Sequence, residues 1–406
     1  MTAPPIRLPS GVRDFLPRAA ARRRALAGRV METFEAWGFA RIITPVFEVA
    51  DVLERGLGDG ARAAAVRFVE PGTGEIVALR PDITPQIARV VATRLTEIEG
   101  PIRLCYEGAV VRLLGHEHQQ REILQAGVEL IDAPAPAGDA EVLAVAAAAL
   151  AAAQLPFEDT RLDVGCVAPA RHVLAAAATP EARAALVAAI TNKDRVGLRP
   201  LARALPAHIA PLAEALPTLW GPAEETLQRA EALAWPADVR AAIGELRAVL
   251  AAFAELVDRP VPALTVDLGD LRGESYYTGV RFAGYASGAP DAVLRGGRYD
   301  ELIGRYGRAA RATGFAIDLE ALAQAQRATG IAPPASVLGV VVHGPGAAAL
   351  ARGLRSHGLR AVTAATAPTE AWRKAAGLDA VVSTTERNVS DVAALAKQLL
   401  EERCPS

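Results

Sequence analysis

The sequence has 406 residues, 51% of them hydrophobic and 22% charged, with a formal net charge of −2. That length suits two or three domains rather than one, and the near-neutral balance argues against the dense basic surface that nucleic-acid phosphates call for. Cys105, Cys166 and Cys404 are widely separated. They form neither a disulfide framework nor a metal pair, which points to a reducing cytoplasm.

In chain order, Met1 to Leu8 lacks a charged-then-apolar signal pattern. Leu26, Val30, Phe34 and Trp37 recur at helical spacing, so Arg18 to Trp37 is expected to be an amphipathic helix ended by Gly38. Arg22, Arg23 and Arg24 on it read as a solvated face. A short strand, Phe39 to Thr44, stops at Pro45. Further strand patterns cover Ala64 to Val69, Ile76 to Leu79, Ile102 to Glu107, Ala126 to Ile131 and Arg161 to Val164, with helices at Thr84 to Leu95 and Ala140 to Gln154. The Ala-rich run Ala144 to Ala153 is too short to cross a bilayer, so no membrane association is expected. Strands and helices without regular alternation indicate an α+β fold on an antiparallel sheet.

Strand signals vanish from 168 to 260, which reads as a helical insertion closed by the long amphipathic helix Ala237 to Asp258. Strand texture returns at Ala263 to Leu268 and Tyr276 to Ala286, and Gly314 to Leu322 reads as a strand running into a helix. Ile331 to Ala335 looks like a linker. Beyond it, strand, helix, strand, strand and helix patterns make 336–406 a small α/β domain. The core is thus assigned to 1–167 and 261–330.

Four segments place charged and polar residues beside glycine or proline: 79–89, 106–129, 267–279 and 294–302. The residues alone leave alternatives open. Asp82 and Glu129 either meet a ligand or pair with Arg80 or Arg89, and Arg272 either meets a ligand or braces Asp270 or Glu274. Gly296-Gly297 reads as a turn. His116-Glu117-His118 lacks a third ligand at metal spacing and reads as a solvated loop.

Together these segments resemble histidyl-tRNA synthetase, a class II aminoacyl-tRNA synthetase, over nearly the whole chain. Pro9 to Pro17 resembles the family's opening segment. The helix and strand ending at Pro45 resemble motif 1, Arg112 to Glu129 motif 2, and Gly314 to Leu322 motif 3. Arg272-Gly-Glu-Ser-Tyr-Tyr277 is similar to the histidine-specific signature, with Glu274 and Ser275 as departures. The resemblance implies a class II synthetase-like antiparallel sheet flanked by helices, self-association through the motif 1 region, and a C-terminal domain like a shortened anticodon-binding domain.

The departures fall on the ATP end. Arg112 stands in its motif 2 position as a vestigial ATP-site residue, but Leu114 replaces the expected glutamate and Gln119 a loop arginine. In motif 3, Ala321 replaces the arginine that contacts triphosphate, and Asp318 replaces glycine. A lost charge-assisted contact forfeits roughly 1.5–3 kcal/mol, and Asp318 adds repulsion. The amino-acid end is retained. By resemblance Asp82, Thr84 and Gln125 face an α-amino group, Glu129 and Tyr277 an imidazole, Arg272 a carboxylate, and Tyr299 lines the wall.

This pattern is similar to the histidyl-synthetase-like regulatory subunits of short-form ATP phosphoribosyltransferase, which also carry segments like 79–89, 271–279 and 296–300. The resemblance implies a non-catalytic subunit in histidine biosynthesis, partnered with the catalytic subunit and regulated by histidine, with no cofactor, metal or nucleic acid. The alternative is a divergent histidyl-tRNA synthetase.

Overall fold

The computed structural model describes residues 7–113, 120–258, 261–272, 276–332, 337–385 and 391–403. Two compact units divide the chain at Ala332/Pro333.

The first unit is organised by a nine-stranded sheet. Its strands are β1 (Ala40–Arg41), β5 (Ile102–Val111), β6 (Glu122–Ile131), β7 (Thr160–Cys166), β8 (Trp220–Pro222), β9 (Ala263–Asp267), β10 (Val280–Ala286), β11 (Leu294–Arg298) and β12 (Ala312–Asp318). Their order is β1-β5-β6-β12-β11-β10-β7-β9-β8. The expected antiparallel pairing holds from β5 through β12, β11 and β10 to β7, whereas β1–β5 and β7–β9 are parallel. A separate small sheet joins β2 (Phe47–Val49), β4 (Ile76–Leu79) and β3 (Arg67–Val69).

Helix α1 (Pro17–Ala36) starts with proline, whose missing N–H is no loss in a first turn, and buries Leu26, Val30, Met31 and Phe34. Gly38, at φ +83°, ends it as its spacing predicts. Helix α2 (Thr84–Arg94) and the Ala-rich α3 (Ala137–Ala152) complete the flanks, with α4 (Leu319–Ala328) following β12. Helices α1, α3 and α4 pack behind the sheet, where α3 buries Leu143, Val145 and Leu150. A second apolar cluster lies on the other face, with Ile83, Ile87, Val91, Leu104, Tyr106, Tyr299 and Ile303. That second face carries the candidate site.

Three local expectations are corrected. Residues Trp220–Pro222 form a strand against β9, inside the stretch read as purely helical. Three residues containing glycine and proline show no alternation, and only the exposed edge of β9 gives them a partner. Gly296 and Gly297 are not a turn but lie within β11. A Cβ at Gly296 would strike Phe315 and the Gly314 carbonyl, and one at Gly297 the Val280 carbonyl, so close backbone approach explains both. The strand expected over Phe39 to Thr44 is reduced to Ala40–Arg41.

The second unit is a parallel sheet of 360–364, 339–343 and 380–383, with helices Ala347–Ser356, Glu370–Ala375 and Val392–Arg403. Helix Glu370–Ala375 escaped the sequence pattern because it buries no residue.

Candidate functional site

Directly opposed residues of antiparallel strands share a face. One such row runs Leu104, Glu129, Gly314, Gly297, Arg281 across β5, β6, β12, β11 and β10. Two residues away, a parallel row runs Tyr106, Gly127, Ala316, Arg295 and Ala283. Small residues therefore floor the middle of the sheet, walled by Tyr106 and Glu129 on one side and Arg281 on the other.

Glu129 is 2% exposed. Its Oε1 accepts a hydrogen bond from the Tyr106 hydroxyl at 3.2 Å, and that hydroxyl lies 3.3 Å from the hydroxyl of Thr84. Among the described residues, no hydrogen bond reaches its buried Oε2 or the buried hydroxyl of Tyr299. A Cβ on Gly314 would collide with both. Burial raises the Glu129 carboxyl well above the usual carboxylate range; the Asp82 charge adds to this, and bonds from Thr84 and Tyr106 offset part of it. A cavity of about 10 Å³ is lined by Glu129, Tyr299, Thr84, Ile87, Ile303 and Ala312. That is roughly the room one water molecule needs.

The turn entering α2 brings its polar groups to the same wall. The Thr84 N–H donates to Asp82 Oδ1, and the Ile83 N–H donates to Gln125 Oε1, both at 3.3 Å. Tyr276 packs 5.3 Å from the ring of Tyr277 and 5.4 Å from that of Tyr299. Burial raises the pKa of Tyr276 and of Tyr277, and for both the Asp82 charge is the next cause. Thr84, Glu129 and Tyr299 line that cavity, and Asp82, Gln125 and Tyr277 stand in the group of polar and aromatic side chains around it. Tyr106 and Tyr276 belong to it and were missed. Tyr276 sat beside Tyr277 in the histidine-like signature, and Tyr106 opened the second polar segment.

Arg272 stands apart from this group. Its Nε and Nη2 donate to the two carboxylate oxygens of Asp270 at 2.8 and 3.1 Å, and Nη2 also donates to the Tyr285 hydroxyl at 2.7 Å. Arg281 donates to the same carboxylate at 2.9 Å. Burial opposes ionisation of Asp270, but the two guanidinium groups hold its carboxyl well below the usual range. The structural pairings weighed for Asp82 and Glu129 do not form: Arg80 donates to the carbonyls of Ala109 and Thr44, and Arg89 pairs with Glu48.

At the other end, Arg112 donates to the Pro81 carbonyl at 2.7 Å. Asp318 caps α4, accepting from the N–H groups of Glu320 and Ala321 at 2.9 and 3.0 Å. Leu114, Gln119, the His116–His118 loop, Glu274, Ser275, Glu386 and Arg387 lie outside the described residues. No metal-binding group of three His, Cys, Asp or Glu occurs among the described residues. No helix among them is long and apolar enough to cross a membrane.

The histidyl-tRNA synthetase family profile matches residues 11–322. A regulatory subunit of ATP phosphoribosyltransferase from Anaeromyxobacter sp. (strain Fw109-5) is 46% identical over 329 residues, covering 80% of this chain and 94% of its own length. The chain belongs to the ATP phosphoribosyltransferase regulatory subunit family. A family member from Moorella thermoacetica is 40% identical over 370 residues, covering 88% of this chain and 92% of its own. Among solved structures, a regulatory subunit/histidyl-tRNA synthetase from Bacillus halodurans C superposes with a TM-score of 0.80 at 26% identity, covering 93% of this chain and 97% of that one. Histidyl-tRNA synthetase from Nostoc sp. PCC 7120 superposes at 0.79 with 20% identity over 98% of this chain and all of its own, which shows the shared fold.

Proposed function

We propose that the chain is the non-catalytic regulatory subunit of an ATP phosphoribosyltransferase, acting in the cytoplasm with a short-form catalytic subunit in the first step of histidine biosynthesis. The observation that carries this reading is the asymmetry of the sheet surface. The Glu129 end keeps buried acceptors and phenol rings, whereas at the motif 3 helix an aspartate already occupies the first amides and Ala321 offers no cation. An anion approaching that helix meets a carboxylate instead of free N–H groups, so ATP binding and aminoacylation are lost.

In this reading the pocket takes histidine. Asp82, Thr84 and Gln125 face the ammonium, Glu129 and Tyr277 the ring, and Tyr299 the wall. Arg272 reaches the carboxylate by sharing itself between ligand and Asp270. The chain self-associates through the motif 1 region, where Ile43 is exposed, extended by Val46, Phe47, Phe68, Val69 and Ile76 beyond its end at Pro45, which are exposed as well. Clustered apolar surface of this kind marks a protein interface.

Purified chain mixed with a short-form catalytic subunit should raise its ATP- and phosphoribosyl-dependent activity and render it histidine-sensitive, while showing no histidine-dependent ATP–pyrophosphate exchange. Exchange at ordinary synthetase rates would sink the proposal in favour of a divergent synthetase.

A further inference from the structure

The arginines of α1 are not a solvated face. Arg23 Nε lies 2.5 Å from Glu320 Oε1, and Arg13 Nη2 lies 3.3 Å from Glu320 Oε2. Both guanidinium groups also sit over the Phe15 ring, at 4.6 and 4.7 Å from its centroid. Arg22 donates through Nη2 to the carbonyl of Ile331, just beyond α4, while its Nη1 is buried with no acceptor among the described residues. Only Arg24 of the three is exposed. Arg327, in the last turn of α4, is desolvated and feels the like charges of Arg13 and Arg22, with Glu320 as its compensating charge.

Four guanidinium groups therefore gather about the α1–α4 seam, Arg22 and Arg23 partly buried in it, Arg13 (just before α1) and Arg327 exposed at its rim. Among the described residues, Glu320 is the one carboxylate that forms an ion pair with any of them. Arg13 and Arg23 offset the buried Glu320 carboxylate, and Arg22 and Arg327 are cations in excess of that balance. A seam between two helices is normally closed by apolar residues or balanced pairs, since like charges destabilise and an unmet buried donor costs the desolvation of its group. The Phe15 ring holds two of the cations in place, and the described residues supply no acceptor for the second donor of Arg22.

We propose that the α1–α4 seam is a binding site for a phosphate-bearing anion, held by Arg13, Arg22, Arg23 and Arg327. Planar guanidinium groups match phosphate oxygens with paired N–H donors, and several of them around one anion suit a diphosphate better than a monoanion. The seam lies on the helical side of the sheet, opposite the face that carries Glu129. The proposal is thus independent of the histidine reading, and its failure leaves that reading untouched.

The test is a calorimetric titration of the full-length chain with inorganic pyrophosphate. One saturable site is expected, weakening as salt rises. The double variant Arg22→Gln/Arg327→Gln should bind tenfold or more weakly, whereas Arg22→Lys and Arg327→Lys, which keep the charge, should stay within about threefold. Arg112→Ala and Glu129→Gln should leave the affinity unchanged. Thermal melts of each variant separate lost binding from lost folding. Absence of saturation in the parent protein would overturn the site, as would equal affinity in a folded double variant. Loss of binding in Arg112→Ala would also overturn it, by placing the anion on the front of the sheet.

Discussion

The Glu129 carboxylate rests against the backbone of Gly314 in the neighbouring strand, so the space a ligand would enter is the space a side chain at 314 would fill. A Cβ there meets Glu129 Oε2, the Val128 carbonyl and the Tyr299 hydroxyl. Two of these are side-chain ends that can shift, but the carbonyl belongs to the paired strand and cannot. Gly314→Ala should destabilise the chain by about 1–3 kcal/mol, the usual range for overpacking. It should also weaken histidine binding at least tenfold, about 1.4 kcal/mol. Thermal unfolding and calorimetry on the same preparation read the two effects.

Burial makes Glu129 a source of pH dependence. Its carboxyl titrates higher in the folded chain than the ordinary carboxyl value of 4.5. The folded state therefore holds a proton that the unfolded state has released, and stability falls as pH rises above that value, by up to about 1.4 kcal/mol per pH unit, until the folded-state pKa is passed. Glu129→Gln should flatten this part of the profile and be the more stable form at alkaline pH. A ligand bringing a positive charge to the carboxylate should displace the proton. Histidine titrations in buffers of different ionisation heat measure that release. Equal slopes for parent and variant between pH 5 and 8 would mean that the carboxylate is ionised in the empty pocket.

Much of this was legible in the sequence. The paired strands β5 and β6, α1 and the histidine-like signature each carry a local pattern, either a period or a motif. What escaped depends on distance across the fold. Tyr106 belongs to the site only because Gly127 and Glu129 lie beside it in register. Gly296 and Gly297 form a strand only because the Gly314 and Val280 carbonyls crowd them. Arg22 and Arg23 read as solvated until Ile331 and Glu320, about three hundred residues later, come beside them.

Arg272 offers a sharper test of the pocket's assignment. In the free chain its guanidinium is engaged by Asp270 and Tyr285, while Asp270 keeps Arg281 as a second partner. Removing Arg272 thus leaves no buried charge unpaired, and its own side chain is 45% exposed. Arg272→Ala should cost about 1–3 kcal/mol, because it removes charged hydrogen bonds from the buried Asp270, which keeps Arg281. If the arginine also reaches the ligand carboxylate, affinity for histidine should drop about tenfold while affinity for histamine, which lacks a carboxylate, stays the same. An equal drop for both ligands would make Arg272 a structural brace only.

Self-association is tested at the small sheet. Phe47 and Phe68 meet edge to face at 5.8 Å yet remain 48% and 39% exposed, and Ile43 is 84% exposed. Covering such surface supplies roughly 25 cal/mol per Å² removed from water. Ile43→Asp with Phe47→Ser should shift the mass measured by light scattering towards the monomer. The fold should survive, because neither side chain belongs to a buried cluster.

The C-terminal unit should prove dispensable for the regulatory role. The Anaeromyxobacter relative matches this chain over 329 residues, which is already 94% of its own length. That relative carries the regulatory-subunit name, and little of its length lies outside the match. Each unit here also has its own core: Val340, Leu350, Leu354 and Leu399 cluster among themselves in the second, with no residue of the first in that cluster. A chain ending at Ala332 should fold, bind histidine within about threefold of the parent, and still activate a short-form catalytic subunit. Loss of activation with histidine binding intact would instead assign the C-terminal unit to contact with the catalytic partner.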